Sequence, residues 1–409
     1  MTAPAENPDA LRHAQLTRQA LVIGAGLSGS AVAHSLAKRG WSVTVIDRAD
    51  GLGAGASGLP AGLAAPHVSP DDNVLSRLTR AGVSATLQRA ESLLQSGTDW
   101  ALTGVLEHNL GGKRRLPRTP QSQAPNSDFA PPGLGTDLAN PAQIAAAGLP
   151  PDTPALWHAV AGWIRPRQLV AAQLQTLGVR VRWGQAAHHL ERQGDLWCAR
   201  NAEGQLLGQA PLLVVASAFD SLTLLSPLPG FKVPLNPLRG QISFGHLSQL
   251  SDAQRQRLPP FPVNGHGSFI SHVPSPEGEP GWYIGSTFER NCEQAPVRPE
   301  DHAANQQRLS TLLPALGAAM QNQFEPANVQ GWAGLRCTLP DRLPAVGPID
   351  SQRLPGLWLC AGMGARGISL AVLCGELTAA WLENETPPCP ASLSRHLAAE
   401  RYLHKVKTL

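Results

Sequence analysis

The chain has 409 residues, of which 42% are hydrophobic and 15% are charged, and these values are ordinary for a globular protein with a large core. A formal net charge of +3 is too small to indicate a nucleic-acid-binding protein, although it leaves open one whose basic residues lie on one face. The 40 glycines and 37 prolines follow no fixed period, which argues against a solenoid or a propeller.

Signals for secretion, membrane insertion and metal binding are not found in the sequence. The opening stretch MTAPAENPDALRHAQLTRQ is polar and has no continuous apolar segment of the kind that a secretory signal needs. No apolar run approaches the length needed to cross a membrane. The six cysteines form no CxxC pair and have no metal-binding spacing, which is typical of reduced thiols. We therefore expect a soluble cytoplasmic protein without a metal.

The first recognisable elements are a strand, a glycine-rich loop, a helix and a second strand. ALVI (20–23) is a short apolar run of the β type, and the loop GAGLSG (24–29) follows it. SAVAHSLAKRG then has helical spacing, and WSVTVID alternates as a strand that ends on Asp47. This order predicts the first βαβ unit of a dinucleotide-binding fold.

The glycine-rich loop has the residue types that a pyrophosphate requires. Gly24 is expected to make the tight turn, Gly26 to let the backbone approach the phosphates, and Gly29 to let helix and strand pack closely. The helix N-terminus offers free N–H groups to the phosphates, and Asp47 would accept hydrogen bonds from the adenosine ribose. An acid at this point argues against a 2′-phosphorylated cofactor. The alternative is a glycine-rich turn that binds nothing.

Two further loops favour FAD over NAD. The loop at 55–58 follows the second strand, where it could bring more N–H groups and a hydroxyl to the pyrophosphate. The loop at 362–367 precedes a C-terminal helix, whose N-terminus would stabilise negative charge on a reduced flavin. Either loop alone could be an ordinary turn or cap. The residues assigned to the cofactor are Gly24, Gly26, Leu27, Ser28, Gly29, Asp47, Arg48, Ala56, Ser57, Gly58, Gly362, Gly364, Ala365, Arg366, Gly367 and Ile368.

The rest of the chain alternates between two kinds of pattern. An amphipathic helix is expected over about 74–94, and a long surface excursion over about 111–151. Short alternating runs between 234 and 288 predict an antiparallel sheet. The fold class is therefore α/β with an α+β second domain, a Rossmann-like FAD-binding domain plus a substrate domain on a mainly antiparallel sheet. The FAD-binding domain is predicted from residues 18–75, 155–228 and 330–405, the substrate domain from 76–154 and 229–329, and a flexible tail from 1–17.

These segments resemble the D-amino-acid oxidase and glycine/sarcosine oxidase superfamily of FAD enzymes, over about residues 21–402. Within it, GASGLPAGLAAPHVSPDDNVLSRLTRAG, GWIRPRQL, RGQIS and GARGISLAVLCGEL are similar to the FAD-dependent oxidoreductase half of the bifunctional tRNA 5-methylaminomethyl-2-thiouridine biosynthesis family. GLRCTLPDRLPAVG (334–347) is the most specific match. The resemblance implies an FAD enzyme that removes the carboxymethyl group from 5-carboxymethylaminomethyl-uridine at the tRNA wobble position. The intact glycine-rich fingerprint, with no flavin-attachment motif around the cysteines, predicts that the FAD is bound noncovalently.

The family pattern also contains a methyltransferase domain ahead of the flavin domain. Here fewer than two dozen residues precede the βαβ unit. We therefore expect a stand-alone oxidoreductase half and a separate methyltransferase partner for the next reaction. The missing domain could help to hold tRNA, so tRNA and a free amine both stay open as substrates.

Three residues are candidates for the substrate site. By resemblance, Arg336 lies where glycine-oxidising relatives place the Arg that binds the substrate carboxylate; the alternative is a salt bridge to an acid such as Asp341. Tyr283 could reach the substrate from the antiparallel sheet, or could only pack within it. His67, like Arg366, lies in a loop that is expected to approach the flavin, where it could contact the ring or cap a turn.

A basic run and two alternative functions complete the sequence-based hypotheses. Lys113, Arg114, Arg115 and Arg118 could contact tRNA phosphates, or could form an ordinary solvated loop. The first alternative function is a small-molecule amine oxidase for glycine, sarcosine or a D-amino acid. The second is a flavin-binding protein without catalysis. The segment 239–241 is expected to shape a strand of the substrate domain.

Overall fold

The computed structural model describes residues 18–109, 135–275 and 277–403, over which strands β1–β21 and helices α1–α10 are numbered in chain order. The predicted tail at 1–17 and the basic run at 113–118 lie outside these residues. A six-stranded sheet has the order β20-β21-β13-β1-β2-β9 and is parallel except between β20 and β21. Its strands are β1 (Gln19–Ile23), β2 (Ser42–Ile46), β9 (Val179–Arg182), β13 (Leu212–Val215), β20 (Ala345–Pro348) and β21 (Leu357–Ala361).

Both faces of this sheet are covered, which explains why its central strands are apolar at every position. Val22 and Val43 point into a core shared with a layer of helices, whereas Leu21 and Ile23 point into a second core under a small antiparallel sheet. The helices are α1 (Leu27–Ala37), α2 (Val74–Leu93), α4 (Pro166–Leu174) and α9 (Gly367–Leu382), and the small sheet is β10 (His189–Gln193), β11 (Leu196–Arg200) and β12 (Leu206–Ala210).

Helix α9 is the central helix of the helical layer. Residues Gly364–Leu382 form a helix that is long and apolar enough to cross a membrane by length and composition, whereas the sequence analysis expected no such run. In the folded protein, 67% of the apolar 18-residue window of this helix is buried. Close packing accounts for this composition. A Cβ on Gly375 of α9 would lie 2.6 Å from the Ala31 carbonyl of α1, and one on Gly82 of α2 would lie 1.9 Å from the Ser369 carbonyl of α9.

A nine-stranded sheet forms the second half of the fold, in the order β18-β14-β17-β16-β15-β5-β7-β6, with β19 also paired to β14. All its pairings are antiparallel except that of β15 with β5. Helices α7 (Pro299–Leu312) and α8 (Pro314–Ala319) share a core with one face of it. The strands are β5 (Val105–His108), β6 (Thr136–Leu138), β7 (Ala155–His158), β14 (Asn236–His246), β15 (Val263–Gly265), β16 (Gly267–Pro274), β17 (Pro280–Gly285), β18 (Glu289–Arg290) and β19 (Gln330–Thr338).

A fourth sheet, of three short strands, lies between these two halves. It has the order β3-β8-β4, and its residues Leu63 and Trp163 pack in one apolar cluster with Ile242 and Tyr283 of the nine-stranded sheet. Its strands are β3 (Gly62–Ala64), β4 (Trp100–Ala101) and β8 (Gly162–Ile164); the remaining short helices are α3 (Pro141–Ala146), α5 (Ser221–Leu225), α6 (Asp252–Arg255) and α10 (Ala391–Ser394). The predicted fold class, a Rossmann-like unit plus a mainly antiparallel sheet, is confirmed.

Two elements belong to a different half of the fold from the one to which the predicted domain bounds assign them. The predicted bounds give most of helix α2 to the substrate domain, but its apolar face packs against α9 in the helical layer. They give strand β19 to the FAD-binding domain, but it pairs with β14 in the nine-stranded sheet. In both cases a contact between distant parts of the chain decides the position. The domain bounds themselves stay a prediction.

Candidate active site

One cavity of about 1070 Å³ joins the two halves of the fold. It runs from the carboxyl ends of β1, β2 and β13 to the face formed by β14, β17 and β19. All the residues predicted for the site line it except Gly29 and Gly58, whose roles are in packing. Among the described residues no cluster of His, Cys, Asp or Glu side chains is placed to hold a metal ion.

The glycines of the first loop have separate structural roles. Gly24 has φ +105°, and a Cβ there would lie 2.6 Å from the carbonyl oxygen of Ala216, the residue after β13. A Cβ on Gly29 would lie 1.8 Å from the Gly24 carbonyl, so helix α1 could not approach the loop with any larger residue. Gly26 is different, because its only close neighbour would be the Ser57 hydroxyl at 3.0 Å. Its free side faces the cavity, as a residue beside a phosphate must.

The second loop contacts the start of α1. Ser57 Oγ accepts a hydrogen bond of 2.9 Å from the backbone N–H of Leu27, the first residue of the helix. Gly58 makes this approach possible, since a Cβ there would lie 2.0 Å from the Gly53 carbonyl. The loop therefore puts a hydroxyl and the helix N-terminus next to each other in the cavity, where a phosphate can use both.

Asp47 is oriented by backbone groups at the end of β2. Its carboxylate accepts hydrogen bonds from Ala25 N at 2.7 Å and from Ala49 N at 2.9 Å, and it lines the cavity. These bonds leave acceptor positions for a ribose hydroxyl. The neighbouring Arg48 is 70% exposed and pairs with Asp220 at 3.0 Å on the rim.

The loop before α9 brings the N-terminus of that helix to the cavity. Gly362 (φ +83°) and Gly364 (φ +57°) make the turns, and residues 361–369 line the cavity wall. Ser369 Oγ donates to the Ala65 carbonyl at 3.3 Å and so joins α9 to the loop that carries His67. The His67 backbone N–H donates to Thr79 Oγ1 at 2.9 Å. The structure thus brings His67 and the 362–368 loop together on one wall.

Arg336 lies on β19, faces the cavity and has no acid beside it. Its guanidinium donates to Ser286 Oγ at 2.5 Å and to the Thr287 carbonyl at 3.4 Å, and among the residues that the structure describes no carboxylate lies within salt-bridge distance. Burial lowers the pKa of Arg336 to about 10. The alternative partner Asp341 pairs with Arg401 at 3.1 Å instead. Arg336 is therefore a desolvated cation that can accept a carboxylate.

The space for this guanidinium comes from the register of two strands. Gly240 on β14 and Gly334 on β19 are direct partners. A Cβ on Gly240 would lie 2.3 Å from Arg336 Nη1, and one on Gly334 would lie 2.5 Å from Trp332 Cη2 and 3.3 Å from Ala56 Cα. The paired glycines thus form a floor on which the Arg336 guanidinium and the Trp332 indole rest, in contact with the cofactor loop.

Tyr283 is brought into the cavity wall but not to Arg336. Its ring stacks on Phe244 with centroids 5.5 Å apart, and its side chain is only 2% exposed. Its hydroxyl has no hydrogen-bond partner among the residues that the structure describes, and burial raises the pKa of Tyr283 to about 12. This hydroxyl lies beside Gly281, roughly 15 Å of strand away from the Ser286 that holds Arg336. The two side chains cannot bind the same small carboxylate.

Sequence reasoning missed several residues of the cavity wall. Ser286 and Phe288 contact Arg336, and no local motif indicates them because strand pairing brings them there. Trp332, on the same strand as Arg336, also lines the cavity. At the other end of the cavity, residues 183, 185–188 and 216–220 line the wall after β9 and β13. These could have been found, since ligands of parallel sheets bind at the carboxyl ends of the strands.

Residues 19–381 match the family DAO, described as FAD dependent oxidoreductase. The chain belongs to this family. It is an oxidoreductase with FAD as its cofactor, as the sequence predicts. The chain is 48% identical over 377 residues to the tRNA 5-methylaminomethyl-2-thiouridine biosynthesis bifunctional protein MnmC of Polaromonas naphthalenivorans (strain CJ2). The match covers 91% of this chain and 58% of the relative. The chain is 46% identical to the protein of the same name in Delftia acidovorans (strain DSM 14801 / SPH-1), with 94% and 61% covered.

These relatives show the resemblance to the bifunctional family, and the DAO chain spans about three fifths of their length. Solved structures show the fold. The glycine oxidase from Geobacillus kaustophilus matches with a TM-score of 0.66 at 19% identity, covering 90% of this chain and 96% of that one. The L-proline dehydrogenase from P.horikoshii matches with a TM-score of 0.68 at 19% identity, covering 94% and 96%.

The residues of the DAO cavity fit FAD. The free side of Gly26, the Ser57 hydroxyl and the start of α1 offer a place for the pyrophosphate, and Asp47 a place for the ribose. The α9 N-terminus, which has no capping side chain, would face the flavin ring and stabilise negative charge there. The individual residue assignments remain predictions.

Proposed function

We propose that the chain oxidises the glycine-side C–N bond of 5-carboxymethylaminomethyl-uridine at the tRNA wobble position. The observation that carries this proposal is Arg336, a desolvated cation without an acid partner among the described residues, in the same cavity as the FAD loops. Its natural ligand is a carboxylate. The carboxymethylamino group of this uridine is an N-substituted glycine and so supplies one. The printed names of the relatives, which refer to tRNA modification, support the same substrate.

The reaction balances with FAD and water. FAD, which the loops around Gly26, Ser57 and Asp47 would hold, would supply the two-electron oxidation. The carbon between the amine and the carboxylate would lose a hydride and the amine would lose a proton to solvent, which would turn the C–N single bond into an imine. Water then adds to the imine carbon and the C–N bond breaks. The products are aminomethyl-uridine and glyoxylate.

The side chains of the protein mainly position the substrate. The Arg336 guanidinium would hold the carboxylate by two parallel charge-assisted hydrogen bonds. The Ser286 hydroxyl and the Thr287 carbonyl hold the guanidinium in turn and fix its direction. Since Gly334 of the floor touches the cofactor loop at Ala56, the anchor and the cofactor are held at a fixed distance from each other.

A second candidate function is oxidation of a free amine such as glycine or sarcosine, because Arg336 would bind those carboxylates equally well. The open side of the cavity favours the tRNA substrate, since Phe288 on its wall is 54% exposed. A tRNA substrate also agrees with the predicted cytoplasmic location and with a methyltransferase, separate or fused, acting on the product. The basic residues proposed for phosphate contacts, Lys113, Arg114, Arg115 and Arg118, lie outside the described residues.

The deciding experiment is anaerobic mixing of the FAD-loaded protein with modified tRNA, or with free glycine or sarcosine, while flavin absorbance is followed. Rapid bleaching by the tRNA, with glyoxylate as product, is the expected result. Bleaching by glycine or sarcosine alone would favour the amine oxidase. No bleaching by any of them would favour a flavin-binding protein without catalysis.

A further inference from the structure

An exposed aromatic side chain stands next to the carboxylate anchor. Phe288 lines the cavity but is 54% exposed, and its ring centroid lies 4.9 Å from Arg336 Cζ. A single exposed apolar residue is ordinary on a protein surface. Phe288 differs from such a residue because part of its ring covers the guanidinium and the rest is open to solvent at the cavity wall. The exposed part of the ring is available to a bound molecule.

The residues on both sides of Phe288 are held firmly. Thr287 forms two hydrogen bonds with Gln241, one from the Gln241 N–H to the Thr287 hydroxyl and one from the Thr287 N–H to the Gln241 carbonyl, each of 3.0 Å. Glu289 pairs with Arg298 at 2.9 Å and with Arg239 at 3.5 Å. The ring is therefore attached to a fixed backbone, which lowers the entropy cost of using it as a contact.

A second aromatic side chain lies on the same glycine floor as the anchor. The Trp332 indole rests on Gly334, whose direct partner Gly240 supports the Arg336 guanidinium. A ligand bound to Arg336 would therefore have two aromatic rings near it. Free glycine has no ring to stack on them, whereas a planar base does.

We propose that Phe288 is a specificity-determining residue that stacks on the pyrimidine ring of the substrate while Arg336 holds its carboxylate. This inference rests on the proposed function. In 5-carboxymethylaminomethyl-uridine the carboxyl carbon is separated from the base by four single bonds, about 5 Å when extended. Because the Phe288 ring centroid is 4.9 Å from Arg336 Cζ, a base on so short a linker can reach the exposed part of the ring. Glycine and sarcosine have no ring and gain nothing from this contact.

The competing explanation is that Phe288 only braces Arg336. The test compares Phe288→Ala, Phe288→Leu and Phe288→Trp as FAD-loaded proteins, with anaerobic flavin reduction by the modified nucleoside, by modified tRNA and by sarcosine. Stacking predicts a loss of roughly 5- to 150-fold for Ala and Leu with the nucleoside and tRNA, and near-normal rates for Trp. With sarcosine, which uses Arg336 but has no ring to stack, any loss should be clearly smaller than with the nucleoside. Leu102→Ala is the matched control, since Leu102 is equally exposed at 54% and does not line the cavity.

Several results would overturn the proposal. An unchanged rate of Phe288→Ala with the nucleoside, or a Leu variant as fast as the Trp variant, would exclude stacking. An equal loss with sarcosine would make Phe288 a brace for Arg336. If wild type does not react with sarcosine, the comparison of Leu with Trp decides alone. Failure of wild type to react with the nucleoside and with tRNA would refute the proposed function, and this inference with it.

Discussion

Replacing Arg336 tests the proposed carboxylate anchor directly. Arg336→Lys keeps the charge but loses the fork that makes two parallel hydrogen bonds, and Arg336→Ala loses both. Burial lowers the pKa of Arg336 from 12.5 to about 10, which corresponds to about 3 kcal/mol of lost solvation that a bound carboxylate would offset. A loss of about 2–5 kcal/mol is typical for removing one partner of a buried charge pair.

This loss corresponds to roughly a thirtyfold to several-thousandfold fall in the second-order rate constant of flavin reduction, measured by anaerobic stopped flow. FAD content should stay normal, because the cofactor loops are elsewhere in the cavity. Substrate without the carboxylate should react slowly with wild type and lose little more with the variant. Arg257→Ala is a suitable control, because Arg257 is exposed, its guanidinium donates to the Ala253 carbonyl, and it lies outside the cavity.

Stability gives an independent check. If Arg336 were a structural residue, Arg336→Ala would lower the free energy of unfolding. Since it is a desolvated cation with no acid partner among the described residues, its removal should leave that free energy unchanged or raise it. Flavin reduction by Arg336→Ala at the wild-type rate would refute the anchor, and Arg366 would be the next cation to test.

Three further predictions concern the floor, the pH dependence and tRNA. Gly240→Ala should reduce flavin reduction like Arg336→Ala, with FAD content normal, because its Cβ would lie 2.3 Å from Arg336 Nη1; a normal rate would show that the guanidinium can move. Burial lowers the pKa of His34 from 6.5 to about 4, so the unfolded chain binds that proton more readily and the free energy of unfolding should fall by about 2 kcal/mol between pH 7 and pH 5. Urea unfolding of wild type and His34→Gln checks this, since the variant should lack that part of the fall. Binding of tRNA should weaken steeply with salt, and neutralising residues 113–115 together should lower both the affinity and the salt slope; a triple variant that titrates like wild type would exclude this run.

The cofactor side of the site could be predicted because its determinants are local in sequence. Gly24, Gly26 and Gly29 have distinct roles that depend on one strand–loop–helix unit, and each glycine is found in the environment that this unit requires. The helix expected over about 74–94 is also local in origin: it is α2, and Asn73 caps it by accepting a hydrogen bond from Ser76 N at 3.1 Å.

The substrate side could not be predicted from the residues alone, because it depends on pairing between segments almost a hundred residues apart. Arg336 was found by resemblance, but nothing in the sequence indicates that Gly240 lies beneath its guanidinium. The same holds for Phe288, which is placed by the bonds between its neighbour Thr287 and Gln241. Tyr283 has the right residue type on the right sheet, yet its hydroxyl points toward the far end of its strand.

The pairing of Gly240 with Gly334 also explains how a guanidinium can be desolvated without an acid beside it. Two side chains at these positions would fill the face of the sheet and force Arg336 toward solvent, where its charge would be hydrated. With both absent, the guanidinium lies flat on the backbone and is held by a hydroxyl and a carbonyl that cannot neutralise it. Its charge therefore remains available for a ligand. Because Gly334 also touches the cofactor loop at Ala56, the same feature that creates the anchor sets its distance from the cofactor. Substrate binding and alignment with FAD thus depend on one pair of glycines.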